Sequence, residues 1–241
     1  MPCMSNILAV HSRKGGVGKT TLAYELAWLL DGVLVDLEWE QGSASRTWGY
    51  RWEDRLRSPL LAALERDATP KPLKGHNKPR LVPGHPDFAE QQPTADHMAE
   101  ALTQWATDWN EPWVVIDTHP GAGPAVNGAL AVANVVLAPT PLREKDLEGT
   151  AALVSELADY PLVLAPSMVP PIPPAGPIAT LREMIAGTPV QVGPPIPRAD
   201  AVGLRRKRMA ITAEQPPAKA LQRFAAAVTN LSEYIKEYAN A

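Results

Sequence analysis

Seven short apolar runs recur along this chain, and each is followed by a longer segment in which apolar residues have helical spacing. The runs are rich in β-branched and aliphatic residues and begin at Ile7, Val33, Arg80, Trp113, Val135, Leu162 and Val190. Continuous apolar runs are typical of parallel strands covered on both faces, and their alternation with helices is typical of α/β folds. The sequence therefore predicts a doubly wound, mostly parallel β-sheet with helices on both faces. The helical spacing predicts helices over residues 20–30, 56–66, 94–109, 145–158, 178–185 and 217–238.

Composition limits the kinds of protein that this chain can be. Its 241 residues, 45% of them hydrophobic, suit one domain with a buried core, so we predict a single domain over residues 1–241. The formal net charge of -3 gives no overall attraction to nucleic acid or to an acidic membrane surface, so any such binding needs a local patch. No apolar run reaches the roughly 20 residues of a membrane span, and the single cysteine, Cys3, fits a reducing compartment. We expect a cytoplasmic protein.

Two proline-rich stretches, residues 69–80 and 166–177, interrupt the pattern. Strand-like runs of the same sheet resume after both of them, so we interpret them as loops that proline holds extended. Composition alone also allows a disordered linker at the first stretch, and that alternative stays open.

A glycine-rich stretch lies between the first apolar run and the first helical segment. Such a loop binds phosphate because its backbone N–H groups and the helix N-terminus surround the anion, while a lysine and a following hydroxyl reach the terminal phosphates and Mg²⁺. The strand before it and the helix after it are the context that this motif requires. The predicted nucleotide-binding residues are Gly15, Gly16, Val17, Gly18, Lys19, Thr20 and Thr21.

The form of this loop, KGGVGKT with Arg13 where the usual pattern has glycine, resembles the deviant phosphate loop (P-loop) of the ParA/MinD ATPases. The resemblance extends from Ile7 to the last helix and implies a single ParA-like P-loop ATPase domain. In that family the lysine at the position of Lys14 reaches the nucleotide of a second subunit, so the resemblance implies an ATP-dependent homodimer in which Lys14 acts in trans and Lys19 in cis. The alternative is that Lys14 is a solvated loop lysine.

Two acidic segments resemble further motifs of the family. In VLVDLEWEQG, Asp36 matches the first acid of Asp-x-Asp-Pro-Gln-Gly, and Glu38 matches the second acid, which positions the attacking water in relatives. Trp39 and Glu40 stand where the family has one proline, so it remains open whether Glu38 or Glu40 meets the water. The predicted catalytic residues are Lys14, Glu38 and Asp36.

The run WVVID ends in Asp117 and has the pattern of a Walker B strand, so Asp117 is predicted to contribute to Mg²⁺ binding together with Thr20 and Asp36. The following residues, Thr118 to Pro120, resemble the switch that senses the terminal phosphate. Because relatives have proline or a small residue at the place of His119, we interpret His119 as a loop histidine.

The base-binding residues are predicted only coarsely. The family's adenine-recognising asparagine is absent from the segment LVLAPSMV, so the resemblance implies a base pocket near Pro166, extending to Val169, and a second wall near residues 195–197. The preference for ATP over GTP depends on the resemblance alone.

Two outputs compete within the family: non-specific DNA binding in ParA-type members and membrane binding in MinD-type members. A basic stretch favours DNA, and the predicted DNA-binding residues are Arg198, Arg205, Arg206, Lys207 and Arg208, unless these are only solvated charges. The C-terminal helix carries Glu233 and Glu237 on its polar face, so we expect it to pack on the sheet instead of lying on a membrane.

The resemblance to ParA-type members implies plasmid or chromosome partitioning, a nucleoid-associated location and a ParB-like, centromere-binding partner that stimulates hydrolysis. The chain starts almost at the first strand, so we expect no N-terminal helix-turn-helix domain. The alternative is a MinD-like, membrane-associated positioning ATPase. A cluster carrier or small-molecule enzyme on the same scaffold is disfavoured by the single cysteine and by the lack of an acceptor site.

Overall fold

The computed structural model describes residues 5–40, 43–54 and 58–241. The strands are β1 Asn6–Val10, β2 Val33–Asp36, β3 Arg80–Val82, β4 Trp113–Asp117, β5 Val135–Pro141, β6 Leu162–Ser167 and β7 Gln191–Val192. The helices are α1 Lys19–Leu29, α2 Ala44–Trp48, α3 Pro59–Glu65, α4 Ala95–Trp109, α5 Pro124–Ala131, α6 Glu144–Leu157, α7 Ala175–Ile185, α8 Asp200–Gly203 and α9 Gln222–Ala239. Cys3, residues 41–42 of the second motif and the start of the helix expected from residue 56 lie outside the described residues.

The seven strands form one sheet in the order β3-β2-β4-β1-β5-β6-β7, and all pairs of strands among the described residues are parallel. The seven predicted strands are therefore confirmed, and so is the doubly wound α/β fold. From β1 the chain first forms β2, β3 and β4 on one side of that strand and then β5, β6 and β7 on its other side, so a crevice opens at the carboxyl ends of the central strands. The glycine-rich loop follows β1 directly and lies in this crevice.

Side chains of the central strands alternate between the two faces of the sheet. In β1, Leu8 and Val10 pack into a core with α1 and α9, whereas Ile7 packs into a core with α3, α4 and α5. Helices α6 and α7 complete that second side. The apolar face of α9 is buried in the first core, as expected, through Leu221, just before the helix, and Phe224, Val228, Leu231 and Ile235. No helix among the described residues has the length and apolarity needed to cross a membrane.

The sequence analysis missed three helices, α2, α5 and α8. Two of them have only four or five residues, too few for a helical period to be visible. The third, α5, contains Gly128, and an added Cβ there would lie 2.4 Å from the carbonyl oxygen of Ala95 and 2.7 Å from Cβ of Met98. Glycine weakens the helical signal but permits the close approach of α4 and α5.

The first proline-rich stretch is an ordered loop held by tryptophan side chains. Trp105 Nε1 donates to the carbonyl of Ala68 at 3.0 Å, Trp109 Nε1 to that of Pro70 at 2.8 Å, and Trp48 Nε1 to that of Pro79 at 2.8 Å. These indole donors satisfy carbonyl groups in a segment where proline limits regular hydrogen bonding. The extended-loop interpretation therefore agrees with the structure, and the linker alternative does not.

Candidate active site

A cavity of about 990 Å³ opens at the carboxyl ends of the central strands. Its floor is the glycine-rich loop between β1 and α1, where Gly16 and Gly18 have φ angles of 77° and 96°. Only glycine adopts such angles without strain, and the conformation turns successive N–H groups toward one side. Except for Val17, which is buried, the predicted phosphate-binding residues line the cavity: Gly15, Gly16, Gly18, Lys19, Thr20 and Thr21.

Lys19 and Asp117 form a buried ion pair at the bottom of the cavity. Lys19 Nζ lies 2.7 Å from Asp117 Oδ1, and both side chains are almost fully enclosed. The other oxygen of this carboxylate, Oδ2, is buried and has no hydrogen-bond partner in the described part of the chain. A buried carboxylate oxygen without a partner beside a phosphate loop suits Mg²⁺ or a water bound to it, so Asp117 fits the predicted metal site.

Asp36 is fully buried beside Asp117, because the last residues of β2 and β4 are partners in the sheet. Its Oδ2 accepts from the backbone N and the hydroxyl of Ser45 at 2.7 and 2.5 Å, and its Oδ1 accepts from the backbone N of Glu38 at 3.1 Å. Burial and then the Asp117 carboxylate raise the pKa of Asp36. Both oxygens of Asp36 thus accept hydrogen bonds that hold the loop after β2 and the start of α2, while its catalytic and metal-binding roles remain predictions.

Glu38 and Glu40 differ in their surroundings, although both line the cavity. Glu38 is 8% exposed, and its Oε1 accepts from the backbone N of Glu40 at 3.1 Å and lies 2.7 Å from His119 Nδ1. The side chain of Glu40 points to solvent. Of the two acids that the sequence left open, Glu38 is the one held in a defined place at the cavity wall.

The loop after β4 is attached to the phosphate loop at several points. Thr118 donates through its hydroxyl to the carbonyl of Val10 at 3.1 Å, and the backbone N of Gly121 donates to the carbonyl of Ser12 at 3.0 Å. Because the hydroxyl hydrogen of Thr118 is used in this way, the buried His11 donates from Nδ1 to Thr118 Oγ1 at 2.9 Å. Burial and then Lys19 and Arg13 lower the pKa of His11 to about 4.

Comparison with known proteins agrees with this geometry. The AAA_31 family model, described as an AAA domain, matches residues 5–161. The chromosome-partitioning ATPase Soj of Thermus thermophilus is 31% identical over 166 residues, covering 67% of this chain and 65% of Soj. The chromosome partitioning protein ParA of Myxococcus xanthus is 30% identical over 165 residues, covering 62% of this chain and 57% of that protein. This chain thus spans less than two thirds of the length of either relative.

The fold is also that of MinD from Pyrococcus horikoshii complexed with Mg-ADP, with a TM-score of 0.73, 18% identity and 98% of each chain covered. The chain belongs to the ParA/MinD family of P-loop ATPases. Among the described residues, no group of three or more His, Cys, Asp or Glu side chains is arranged to hold a metal ion.

Lys14, the lysine of the ParA/MinD signature, does not point to the bottom of its own cavity. Its exposed side chain crosses Gly149 of α6, where an added Cβ would lie 3.2 Å from Lys14 Cε, and its Nζ donates to the carbonyl of Lys145. The two lysines of the loop therefore differ: Lys19 is buried in a pair with an acid, and Lys14 lies on the surface.

The expected base-binding region, residues 166–169, lies beside the phosphate loop. Pro166 is buried within β6, and its carbonyl accepts from the backbone N of Ile196 at 2.7 Å. The next two residues, Ser167 and Met168, line a mostly apolar cavity of about 80 Å³ beside the phosphate loop, with Pro197 opposite them. These two residues lie within the predicted range 166–169, and base binding by this range remains a prediction.

The predicted DNA-binding residues separate into three groups. Arg198 lines the nucleotide cavity and pairs with Asp200 at 2.8 Å, so it lies apart from the rest. Arg205 is mostly enclosed, with its guanidinium 2.7 Å from Glu214 and within hydrogen-bonding distance of two backbone carbonyls. The exposed members are Arg206, Lys207 and Arg208, of which Lys207 also lies 3.0 Å from Glu214.

Arg143 lines the same cavity and was missed by the sequence analysis. Its position two residues after β5, at the carboxyl edge where the cavity opens, is the signal that could have identified it.

The exposed basic residues 206–208, which we name the basic loop, are attached to α1. Tyr24 Oη donates to the carbonyl of Arg208 at 2.6 Å. The buried Glu25 accepts from the backbone N of Ile211 at 2.7 Å and from the backbone N and hydroxyl of Thr212 at 2.9 and 2.8 Å. Burial raises the pKa of Glu25, although these hydrogen bonds favour its charged form. The helix that begins at the phosphate loop therefore holds the basic loop through two adjacent residues.

Proposed function

We propose that this chain is a ParA-type partition ATPase: with ATP it closes into a homodimer, the dimer binds DNA without sequence preference, and hydrolysis releases it. A ParB-like, centromere-binding partner stimulates the hydrolysis, and the cycle positions a plasmid, a chromosome region or another cargo. The observation that supports this most directly is the phosphate-loop cavity with the buried Lys19–Asp117 pair and the free Oδ2 of Asp117.

In this proposal each polar group of the cavity has a separate task. The N–H groups of the glycine-rich loop and Lys19 hold the phosphates, and Thr20 and Asp117 hold Mg²⁺, directly or through its waters. Bound Mg²⁺ neutralises charge on the phosphate oxygens. Asp36 keeps the loop after β2 in place, and Glu38 accepts a hydrogen bond from the attacking water and orients it.

Lys14 supplies positive charge to the nucleotide of the second subunit. Its exposed position and single hydrogen bond to a backbone carbonyl support this assignment, because the side chain can be released at small cost. Charge placed where phosphoryl transfer develops negative charge accelerates the reaction, as an arginine finger does.

The basic loop is the proposed DNA contact, and it is not an isolated strip. The guanidinium of Arg208 lies over Gly49, whose missing side chain leaves room for it. Next to it, Lys78 Nζ donates to the carbonyl of Trp48 at 2.8 Å and lies 4.5 Å above its ring, and both burial and Arg208 lower the pKa of Lys78. Because the chain as a whole is acidic, this cluster of cations supports binding of an anionic partner at this surface. A dimer would present two copies of the surface.

Fluorescence anisotropy of a random-sequence DNA duplex tests the proposal, with Mg-ATP, Mg-ADP or no nucleotide and over a range of salt concentrations. The test variant carries Arg206→Ala, Lys207→Ala and Arg208→Ala, and it leaves Arg205 intact because of its buried ion pair. A control variant removes three cations from the other side of the sheet: Arg66→Ala, Lys71→Ala and Arg182→Ala.

We expect tight binding with Mg-ATP alone, and a steep loss of affinity as salt rises. If all six cations of a dimer contact phosphates, the test variant should reduce the slope of log K against log salt by as much as about 5, whereas the control should leave it unchanged. Equal binding by test and control variants would refute the assignment of the basic loop. Absence of DNA binding in every state, with ATP still bound, would refute the partition function.

The MinD-like alternative is tested by ATP-dependent co-sedimentation with anionic vesicles. The structure disfavours it at one point, because the apolar residues of α9 are buried in the core and are not available to a bilayer. Co-sedimentation that requires ATP would reverse this preference.

A further inference from the structure

Two departures from the family pattern contact each other in the cavity wall. Trp39 follows β2, where the family has proline, and His119 follows β4, where relatives have proline or a small residue. Their rings are stacked, with centroids 3.6 Å apart and an angle of 12° between the planes. The same imidazole has its Nδ1 2.7 Å from Oε1 of Glu38. The three residues therefore form one unit, although His119 is 81 positions from Glu38 along the chain.

We propose that His119 is the positioning residue for Glu38, holding its carboxylate at the place where it orients the attacking water. This inference depends on the proposed ATPase function and adds a residue to it. His119 does not itself touch the nucleotide or the water in this proposal, since it acts through Glu38. It replaces the earlier interpretation of His119 as a loop histidine without a task.

The hydrogen bonds of Glu38 support this role. Both bonds that the structure describes end on Oε1, one from His119 Nδ1 and one from the backbone N of Glu40 at 3.1 Å. A carboxylate is an acceptor, so Nδ1 carries the hydrogen of the first bond. With Oε1 fixed in this way, Oε2 is the oxygen that remains to accept from a water.

A glutamate needs such restraint more than the aspartate of relatives does. It has one more rotatable bond, and ordering that bond in the reactive geometry costs conformational entropy. Two bonds to Oε1 restrict the rotation before substrate arrives. Trp39 in turn restricts the imidazole, because the indole covers one ring face and is itself packed against Phe88, with ring centroids 6.2 Å apart.

The loop that bears His119 does not depend on the imidazole for its position. The hydroxyl of Thr118 donates to the carbonyl of Val10 at the end of β1, and the backbone N of Gly121 donates to the carbonyl of Ser12 in the phosphate loop, so the loop is attached on both sides of His119. Removing the imidazole should therefore release Glu38 without unfolding the site. Loss of activity in a folded His119 variant would therefore indicate a positioning role, whereas loss of the fold would indicate a structural one.

The test compares steady-state ATP hydrolysis by five proteins: wild type, Glu38→Gln, His119→Leu, His119→Asn and the double variant Glu38→Gln/His119→Leu. Asparagine carries an amide N–H close to where Nδ1 stands, so it keeps the donor and removes the ring. His97→Leu is the matched control, since His97 also bonds to an acid, Asp67 Oδ1 at 3.0 Å, but does so at the surface. Binding of a fluorescent ATP analogue and thermal unfolding are measured for each protein.

We expect His119→Leu to lower kcat about 10- to 100-fold with KM and nucleotide affinity within about twofold of wild type, as for a misplaced catalytic group. His119→Asn should recover most of that loss, and His97→Leu should match wild type. The double variant should be no slower than Glu38→Gln alone, because His119 acts through Glu38.

Three results would overturn the inference. A normal kcat in His119→Leu together with a lowered kcat in Glu38→Gln would refute the positioning role of His119 and leave the ATPase proposal intact. Additive losses in the double variant would show that His119 acts independently of Glu38. Wild-type turnover by Glu38→Gln would refute the role of Glu38 and with it this inference, while leaving the ATPase proposal intact. Absence of turnover by the wild type under any condition would instead overturn the proposed function.

Discussion

Replacing Lys19 should destabilise the protein as well as prevent nucleotide binding. Its ammonium and the Asp117 carboxylate are 2.7 Å apart and almost fully enclosed, and the carboxylate of Asp36 lies on the neighbouring strand. Lys19→Met keeps the length of the side chain but leaves two buried acids without the cation. Removing one partner of a buried ion pair costs about 3–5 kcal/mol.

The size of this effect can be measured without nucleotide. For a chain of this length 1 kcal/mol corresponds to about 2–4 °C in Tm, so Lys19→Met should unfold roughly 6–20 °C below wild type. Thermal unfolding followed by circular dichroism, in EDTA to exclude metal, gives the value directly.

The second variant that completes this test is Lys19→Met/Asp117→Asn. It removes the unpaired charge, so it should regain a substantial part of the lost Tm even though neither variant binds nucleotide. A Tm of Lys19→Met within about 2 °C of wild type would refute the reasoning, since the pair would then contribute nothing. A double variant less stable than Lys19→Met would equally contradict it.

Three further predictions concern groups around the site. His11 is neutral when folded down to pH about 4 but protonates near 6.5 when unfolded, so the unfolded state binds more protons in this window and stability falls as pH decreases through it. The difference in unfolding free energy between wild type and His11→Asn should change by about 3 kcal/mol between pH 7 and pH 4, measured by urea titration. Glu25→Ala should leave the amide of Thr212 unsatisfied, costing about 1–3 kcal/mol, and hydrogen exchange of that amide should accelerate. Gly128→Ala should cost about 1–3 kcal/mol by overpacking, as measured by denaturant unfolding, whereas Gly176→Ala, which has open space around its Cβ, should not destabilise.

Each of these predictions has a contradicting outcome. A free-energy difference for His11→Asn that does not vary with pH would show that the histidine titrates normally in the fold. Unchanged exchange at Thr212 in Glu25→Ala would mean that the loop after the basic loop is held by other contacts. Equal stabilities of Gly128→Ala and Gly176→Ala would mean that α4 and α5 separate without cost.

The sheet was predictable because its strands are buried on both faces. Runs such as the one at Val114 and the one at Val136 are apolar throughout, and this pattern belongs to parallel strands covered by helices. The phosphate loop was predictable for a different reason: its chemistry depends on backbone conformation, which glycine at positions 16 and 18 reports directly. Both are local signals, readable within about ten residues.

The sequence did not reveal the directions in which side chains face or the contacts between segments that are distant along the chain. Arg198 and Arg206 are eight positions apart, but one faces the nucleotide cavity and the other faces solvent beyond α8. The hydrogen bonds that Asp36 accepts from Ser45 and from the backbone of Glu38 were likewise not visible in the sequence. The contact of Glu38 with His119 follows from the pairing of β2 with β4, which composition and spacing do not show.

Gly149 makes room for Lys14, the exposed lysine of the phosphate loop. It stands inside α6, where glycine costs about 0.5–1 kcal/mol relative to alanine, so its presence needs a reason. The reason in this structure is Lys14, whose aliphatic chain lies across the space that a Cβ would narrow. The hydrogen bond of Lys14 to the carbonyl of Lys145 joins its ammonium to a neutral acceptor in an exposed place, whereas a bond to a phosphate would join two opposite charges. In the proposed dimer a phosphate of the second subunit would take the place of this carbonyl, and we propose that this exchange makes closure of the dimer dependent on ATP.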